Sequence, residues 1–206
     1  MIIEERNIIL DEWHITIKDF GDKRVISDAD KVNMPSEDRL VIGRVRGGYD
    51  VYVEHRYSRE DITFEKDEET AILWGIIAYI RRFRNVINQE ESDYIMKCAI
   101  EGAQEGIEQS METVSAYISA KNETNRVSYK DSDGRYMIAY NKETICENVS
   151  KERAAALLYN YASFLRCIEE FIEKHNRYIE EIGIDVEELK RYFVTKRKYL
   201  RSDLGV

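Results

Sequence analysis

Polar and apolar positions alternate through the first third of the chain and then recur at helical spacing, and residues 48–84 join the two patterns. Tyr49-Asp50-Val51-Tyr52-Val53-Glu54-His55 alternates large apolar with polar side chains over most of its length, the period of a half-buried strand. After the polar break Tyr57-Ser58-Arg59-Glu60, Asp61-Ile62-Thr63-Phe64 supplies a return strand. Glu65 to Glu69 forms a mostly acidic entry, favourable beside the positive end of a helix dipole. The helix that follows, Thr70 to about Arg84, is apolar almost all round through Ala71-Ile72-Leu73-Trp74 and Ile76-Ile77-Ala78-Tyr79-Ile80, so it must be covered on most sides. It is the expected core of the fold.

The residues before it read as strands. Trp13, Ile15 and Ile17 alternate with His14, Thr16 and Lys18, Gly21-Asp22 turns, and Arg24-Val25-Ile26 returns. Ser27 to Arg39 is polar, holds Pro35, and predicts a surface loop; Leu40 to Val45 is a further strand turned by Arg46-Gly47-Gly48. An antiparallel meander packed on the Thr70 helix results.

Beyond Asn85 the period predicts one long helix from about Glu90 to Ala120, with Ile95, Ala99, Gly102, Gly106, Ile107, Val114 and Ile118 on one face. Gly102 and Gly106 imply close packing or a kink there. Opposite lie Glu101, Glu105, Glu108 and Glu112, a row of four carboxylates. Like charges at this spacing cost a helix a few tenths of a kcal/mol each, so the row does not serve local stability.

A second hairpin follows, Gly134 to Tyr140 with Glu143 to Cys146, and Ser150 is placed to cap a helix carrying Ala154, Leu157, Leu158, Tyr161, Phe164, Leu165, Ile168, Phe171 and Ile172. Residues 48–84 and 134–178 thus share a hairpin-helix order, either as a duplication or as two elements of one domain. Gly183 breaks the chain, and Asp185-Val186-Glu187-Glu188 reads as the capping box of a last helix with Val186, Leu189, Phe193 and Leu200 inside. The fold class expected is α+β, in a single domain over residues 1–206.

Composition narrows the function. With 206 residues, 43% of them hydrophobic, one proline and ten glycines, the chain has ample core and no long flexible linker. Its formal charge of −9 weighs against nucleic acid or an anionic membrane as partner and suits a basic protein. The absence of a long apolar run, and of a basic and apolar signal in Met1-Ile2-Ile3-Glu4-Glu5, gives the expectation of a cytoplasmic protein without membrane contact. Cys98, Cys146 and Cys167 lack paired spacing and are read as reduced thiols.

No phosphate-binding glycine loop, nucleophile elbow, metalloprotease helix or Cys-x-x-Cys occurs, so no cofactor, metal or catalytic residue is assigned. His14, His55 and His175 stand alone in their segments, and Asp28 with Asp30 forms too small a ligand set for a cation. Arg81, Arg82 and Arg84 end one helix, and Lys190, Arg191, Lys196, Arg197, Lys198 and Arg201 crowd another. Helix dipoles favour cations there, although Tyr192, Phe193 and Tyr199 among the second set also fit a phosphate backbone. Fourteen tyrosines add interface character.

The stretch Arg44-Val45-Arg46-Gly47-Gly48-Tyr49-Asp50-Val51-Tyr52-Val53-Glu54, continued through Phe64 and the following helix, resembles immunity proteins of bacterial polymorphic-toxin and contact-dependent inhibition systems. The resemblance implies a small acidic α+β protein of the bacterial cytoplasm that neutralises a toxin, and it transfers no individual site residue. The leading expectation is therefore a non-enzymatic binding protein for a basic partner, with Glu101, Glu105, Glu108 and Glu112 as the partner-binding residues. A phage-encoded inhibitor of a nucleic-acid-binding defence protein has the same physics. An enzyme or nucleotide-binding regulator with a site between sheet and helices is the reading from another class. Oligomeric state is open.

Overall fold

A computed structural model describes residues 2–30 and 38–196. They form two compact units, residues 2–84 with Ile172–Leu189 and Asn85–Phe171 with residues 190–196. The fold is α+β, as expected. Among the described residues no helix is long and apolar enough to cross a membrane.

In the first unit, helix α1 (Ile2–Glu12) precedes a five-stranded antiparallel meander of β1 (Ile15–Asp19), β2 (Lys23–Asp28), β3 (Arg39–Val45), β4 (Gly48–Glu54) and β5 (Arg59–Glu65), in that spatial order. Helix α2 (Glu68–Phe83) packs on it. Asp67 caps α2, its carboxylate accepting from the Thr70 N–H at 3.0 Å. All residues from Ala71 to Ile80 are buried, which confirms the sequence reading of this helix as core. Leu40 and Ile42 on β3 stand opposite Val53 and Val51 on β4 and complete the apolar layer beneath it.

In this unit, strand signals identified each hairpin. Val45 pairs with Gly48, leaving Arg46-Gly47 as a two-residue turn with Gly47 at φ +90°. Gly48 has a different constraint: a Cβ there would lie 2.2 Å from the Glu65 carbonyl oxygen on the adjoining strand. Most of the polar segment read as a loop, residues 31–37, lies outside the described residues.

The first residues depart from expectation. Ile2 to Glu12 is helical, where strand was expected for the N-terminal fifty residues. Its apolar side chains follow no clean period: Ile9 is buried whereas Ile3 and Ile8 are exposed. Tertiary contacts hold it instead, through the Arg6–Glu69 ion pair and packing on α6 (Asn176–Ile182). His14, at φ +50°, ends this element and turns the chain into β1.

The second unit also corrects the expected long helix at 90–120. Three pieces replace it: α3 (Gln89–Glu101), α4 (Gln104–Met111) and a 3₁₀ turn (Glu112–Tyr117). Gly102 takes the left-handed conformation at φ 71°, and the Ala103 N–H bonds back to the Cys98 carbonyl at 2.8 Å, a helix-ending geometry that glycine adopts without strain. Gly106 serves close packing, as expected, since a Cβ there would lie 2.8 Å from the Cys98 sulfur. Ile95 and Val114 then meet Tyr159 and Ala162 in a buried cluster.

Four further strands follow, with β6 (Ile118–Ser119) parallel to β7 (Val127–Ser132), and β8 (Arg135–Tyr140) and β9 (Glu143–Ser150) continuing antiparallel. Asp133-Gly134 and Asn141-Lys142 turn this meander with positive φ at both residues, matching the right-handed twist of the strands. Ser150 ends β9, and α5 (Lys151–Lys174) starts at the next residue. Its Ala154, Leu158, Ala162, Leu165, Ile168 and Phe171 are buried at 3–4 spacing. Phe164 meets Phe193 of α7 (Val186–Thr195) edge to face at 6.1 Å. Asp185 caps α7 by accepting from the Glu187 N–H at 2.9 Å. Leu189 and Phe193 are fully buried as expected; Leu200 lies outside the described residues. Both expected hairpin-helix segments are present, as β4-β5-α2 and β8-β9-α5.

Two substitutions test this packing. Trp74→Ala should lower unfolding free energy by about 3–5 kcal/mol in a denaturant titration, because the indole is fully buried. Gly48→Ala should cost about 1–3 kcal/mol, since the clash is with backbone and not with a movable side-chain tip. Unchanged midpoints would refute these placements.

Candidate partner-binding surface

The four carboxylates expected to bind a partner do not share one helix. Glu101 ends α3, Glu105 and Glu108 lie on α4, and Glu112 opens the 3₁₀ turn, all exposed. The break at Gly102 divides the row. Glu101 has a cation nearby, Lys97 Nζ at 3.9 Å one helical turn back. Glu105, Glu108 and Glu112 instead line an open surface depression with Gln109 and Ser115. Glu108 accepts a bond from Gln104 Nε2 at 3.0 Å, a neutral donor that leaves its charge uncompensated. Among the described residues, no basic side chain pairs with any of these three.

Acids elsewhere are matched differently. Arg84 reaches Asp28 Oδ2 at 2.9 Å and also donates to the Trp13 and His14 carbonyls, so one Asp28 oxygen is engaged by an arginine. Lys190 pairs with Glu169 at 3.0 Å, and Arg191 with Glu143. These pairs absorb two of the basic residues near the C-terminus; Arg197, Lys198 and Arg201 lie outside the described residues.

The sequence did not disclose a charged cluster around His55. Its Nδ1 lies 2.7 Å from Asp38 Oδ1 and its Nε2 3.6 Å from Glu60 Oε2, while Arg82 reaches Glu60 at 2.7 Å and Asp38 at 3.5 Å. The His55 hydrogen bond, with help from Arg82, holds the Asp38 carboxyl below the usual carboxylate range. Chemically this is a base held by an acid, but the second imidazole nitrogen faces another carboxylate and not a hydroxyl or thiol to activate. The cluster ties β4 and β5 to the last turn of α2. No short-range signal marks it, because its members are brought together by hairpin and helix packing.

His175 is almost fully buried, with its Nε2 3.2 Å from Glu12 Oε2, and Lys174 reaches the other oxygen of Glu12 at 2.7 Å. Burial pushes this imidazole below its ordinary pKa, opposed by the negative charge of Glu12. His14 is exposed and contributes a carbonyl to Arg84. The three cysteines are free thiols, with Cys98 buried and the other two partly so.

Comparison of the chain with protein-family models, curated proteins and solved structures finds no match.

His175 gives a pH prediction. The folded state keeps the imidazole neutral to a lower pH than the unfolded chain, whose histidine titrates near ~6.5. Its contribution should be complete above that value and be lost as pH falls through it toward the depressed folded pKa. His175→Gln should flatten the fall in unfolding free energy between about pH 7 and pH 5. An unchanged slope in urea titrations across that window would exclude this linkage.

Proposed function

We propose that the protein is a non-enzymatic binding protein that neutralises a basic protein partner in the bacterial cytoplasm, in the manner of a toxin immunity protein. One observation carries the reading: Glu105, Glu108 and Glu112 share an open depression without a basic partner among the described residues. Uncompensated charge at adjacent helical positions is mildly repulsive, so it contributes nothing to the fold that holds it. Its physical effect is outward, as a local negative field that raises the encounter rate with a cationic surface. The acidic balance of −9 acts in the same direction. The resemblance of residues 44–83 to immunity proteins supports the same class of partner.

Electrostatic steering appears mainly in the association rate, and exposed pairs are individually worth ~0–1 kcal/mol. Replacing Glu101, Glu105, Glu108 and Glu112 together with glutamine keeps side-chain size and helix propensity while removing the charge. With a partner recovered by co-purification on the native chain, the quadruple variant should associate about tenfold more slowly at low salt and lose most of the salt dependence. Glu101→Gln alone should have little effect, because Lys97 already screens that carboxylate. An association rate equal to that of the native chain at low ionic strength would overturn the proposal.

A further inference from the structure

A second feature of the first unit points to a ligand by its chemistry. A cleft of about 680 Å³ opens between α1, the β1–β2 hairpin and the first turn of α2. Leu10 and Ile17, both half-buried, give it an apolar component, and Ile15 and Ile72 also line it but are almost fully buried. Charged side chains from every surrounding element accompany them: Arg6 and Asp11 from α1, Asp19 and Arg24 from the hairpin, Glu68 and Glu69 from α2.

The two arginines are already committed. Arg6 pairs with Glu69, which also accepts from the buried Tyr178 hydroxyl at 3.3 Å, and burial pushes that phenol well above its ordinary pKa. Arg24 pairs with Glu68 and reaches Asp19 Oδ2 at 3.4 Å. Four carboxylates therefore face two guanidiniums. An incoming anion would have to displace a carboxylate from an arginine, whereas an incoming cation need break no existing pair. Asp11 has no cationic partner among the described residues, and Asp19, which also accepts from the Gly21 N–H at 2.8 Å, shares the Arg24 guanidinium with Glu68. The residual charge is negative and lies beside aliphatic surface.

We propose that this cleft receives an arginine or lysine side chain presented by another protein, its aliphatic stem against Leu10 and Ile17 and its cationic end toward Asp11 and Asp19. Such side chains bury their methylenes on apolar surface while the charge stays near water, which matches an open cleft of this mixed lining. The proposal rests on the reading of a basic protein partner but uses a different site, in the other unit from Glu105, Glu108 and Glu112.

The test uses the full chain, with isoleucine methyl groups observed by NMR, titrated with a short glycine-flanked peptide bearing one central arginine. Saturable shifts are expected at Ile15, Ile17 and Ile72. The same peptide with norleucine in place of arginine should bind far more weakly, and hexanoate should leave these methyls unmoved. Asp11→Asn with Asp19→Asn should weaken arginine-peptide binding by roughly fivefold, as expected for two exposed pairs, while the methyl spectrum of the free variant confirms its fold. Asparagine keeps the oxygen that accepts from Gly21. The proposal is overturned if the arginine peptide moves none of these methyls, if the norleucine peptide or hexanoate binds equally well, if the double substitution has no effect, or if spermidine saturates the cleft at lower concentration, which assigns it to a free polyamine. A failed titration leaves the association-rate test of the carboxylate row intact, so the two readings stand or fall separately.

Discussion

The close packing of α2 on its sheet is the constraint on which the first unit depends, and Gly75 marks one point of close approach. A Cβ at Gly75 would lie 2.6 Å from the Ile26 Cδ1, 3.1 Å from Ile42 Cδ1 and 3.3 Å from Leu40 Cδ2. The helix thus rests on β2 and β3 at the one place where it has no side chain. Glycine costs a helix interior about 1 kcal/mol relative to alanine. That cost is small beside the burial of Ile72, Leu73, Trp74, Ile76 and Ile77, each contributing about 1.5–3 kcal/mol.

Once α2 is fixed, its two ends organise the charged side chains around it. At the N-terminal end Glu68 and Glu69 meet Arg24 and Arg6, joining the helix to the first hairpin and to α1. At the other end Arg82 and Arg84 reach Asp38, Glu60, Asp28 and two backbone carbonyls. Dipole preference alone would account for acids first and bases last. The structure adds specific partners from distant positions in the chain, and that explains how α1, a helix with little amphipathic character of its own, acquires a fixed place.

Periodicity made the larger elements legible. The first-unit hairpins alternate along the chain, α2 is an unbroken apolar run whose residues Ala71 to Ile80 are all buried, and α5 buries one face at helical spacing. Other features were not legible. The paired isoleucines of α1 satisfy strand and helix patterns about equally, and the deciding contacts come from residues more than sixty positions away. Gly102 lies in an otherwise continuous helical pattern, and glycine in a helix and glycine ending one look alike until the conformation is known. For the surface, side-chain type gave the exposure of Glu101, Glu105, Glu108 and Glu112, but the helix break determines that Glu101 is separated from the other three. The His55 cluster and the cleft beside α1 are assembled by tertiary packing and have no pattern along the chain.

The break at Gly102 also changes the energetics of the carboxylate row. On an uninterrupted helix Glu101 and Glu105 would stand one turn apart and repel, as Glu108 and Glu112 would. Ending α3 at Glu101 breaks that helical register; Glu101 stays beside Lys97, whereas Glu105, Glu108 and Glu112 share one depression. In the first unit the acids at both ends of α2 are met by arginines, and their fields largely cancel beyond a Debye length of about 8–10 Å. The three glutamates on and just after α4 have no such neutralisation among the described residues. On the proposed reading, the uneven matching of acids and bases, more than the total of −9, would direct a cation approaching the second unit.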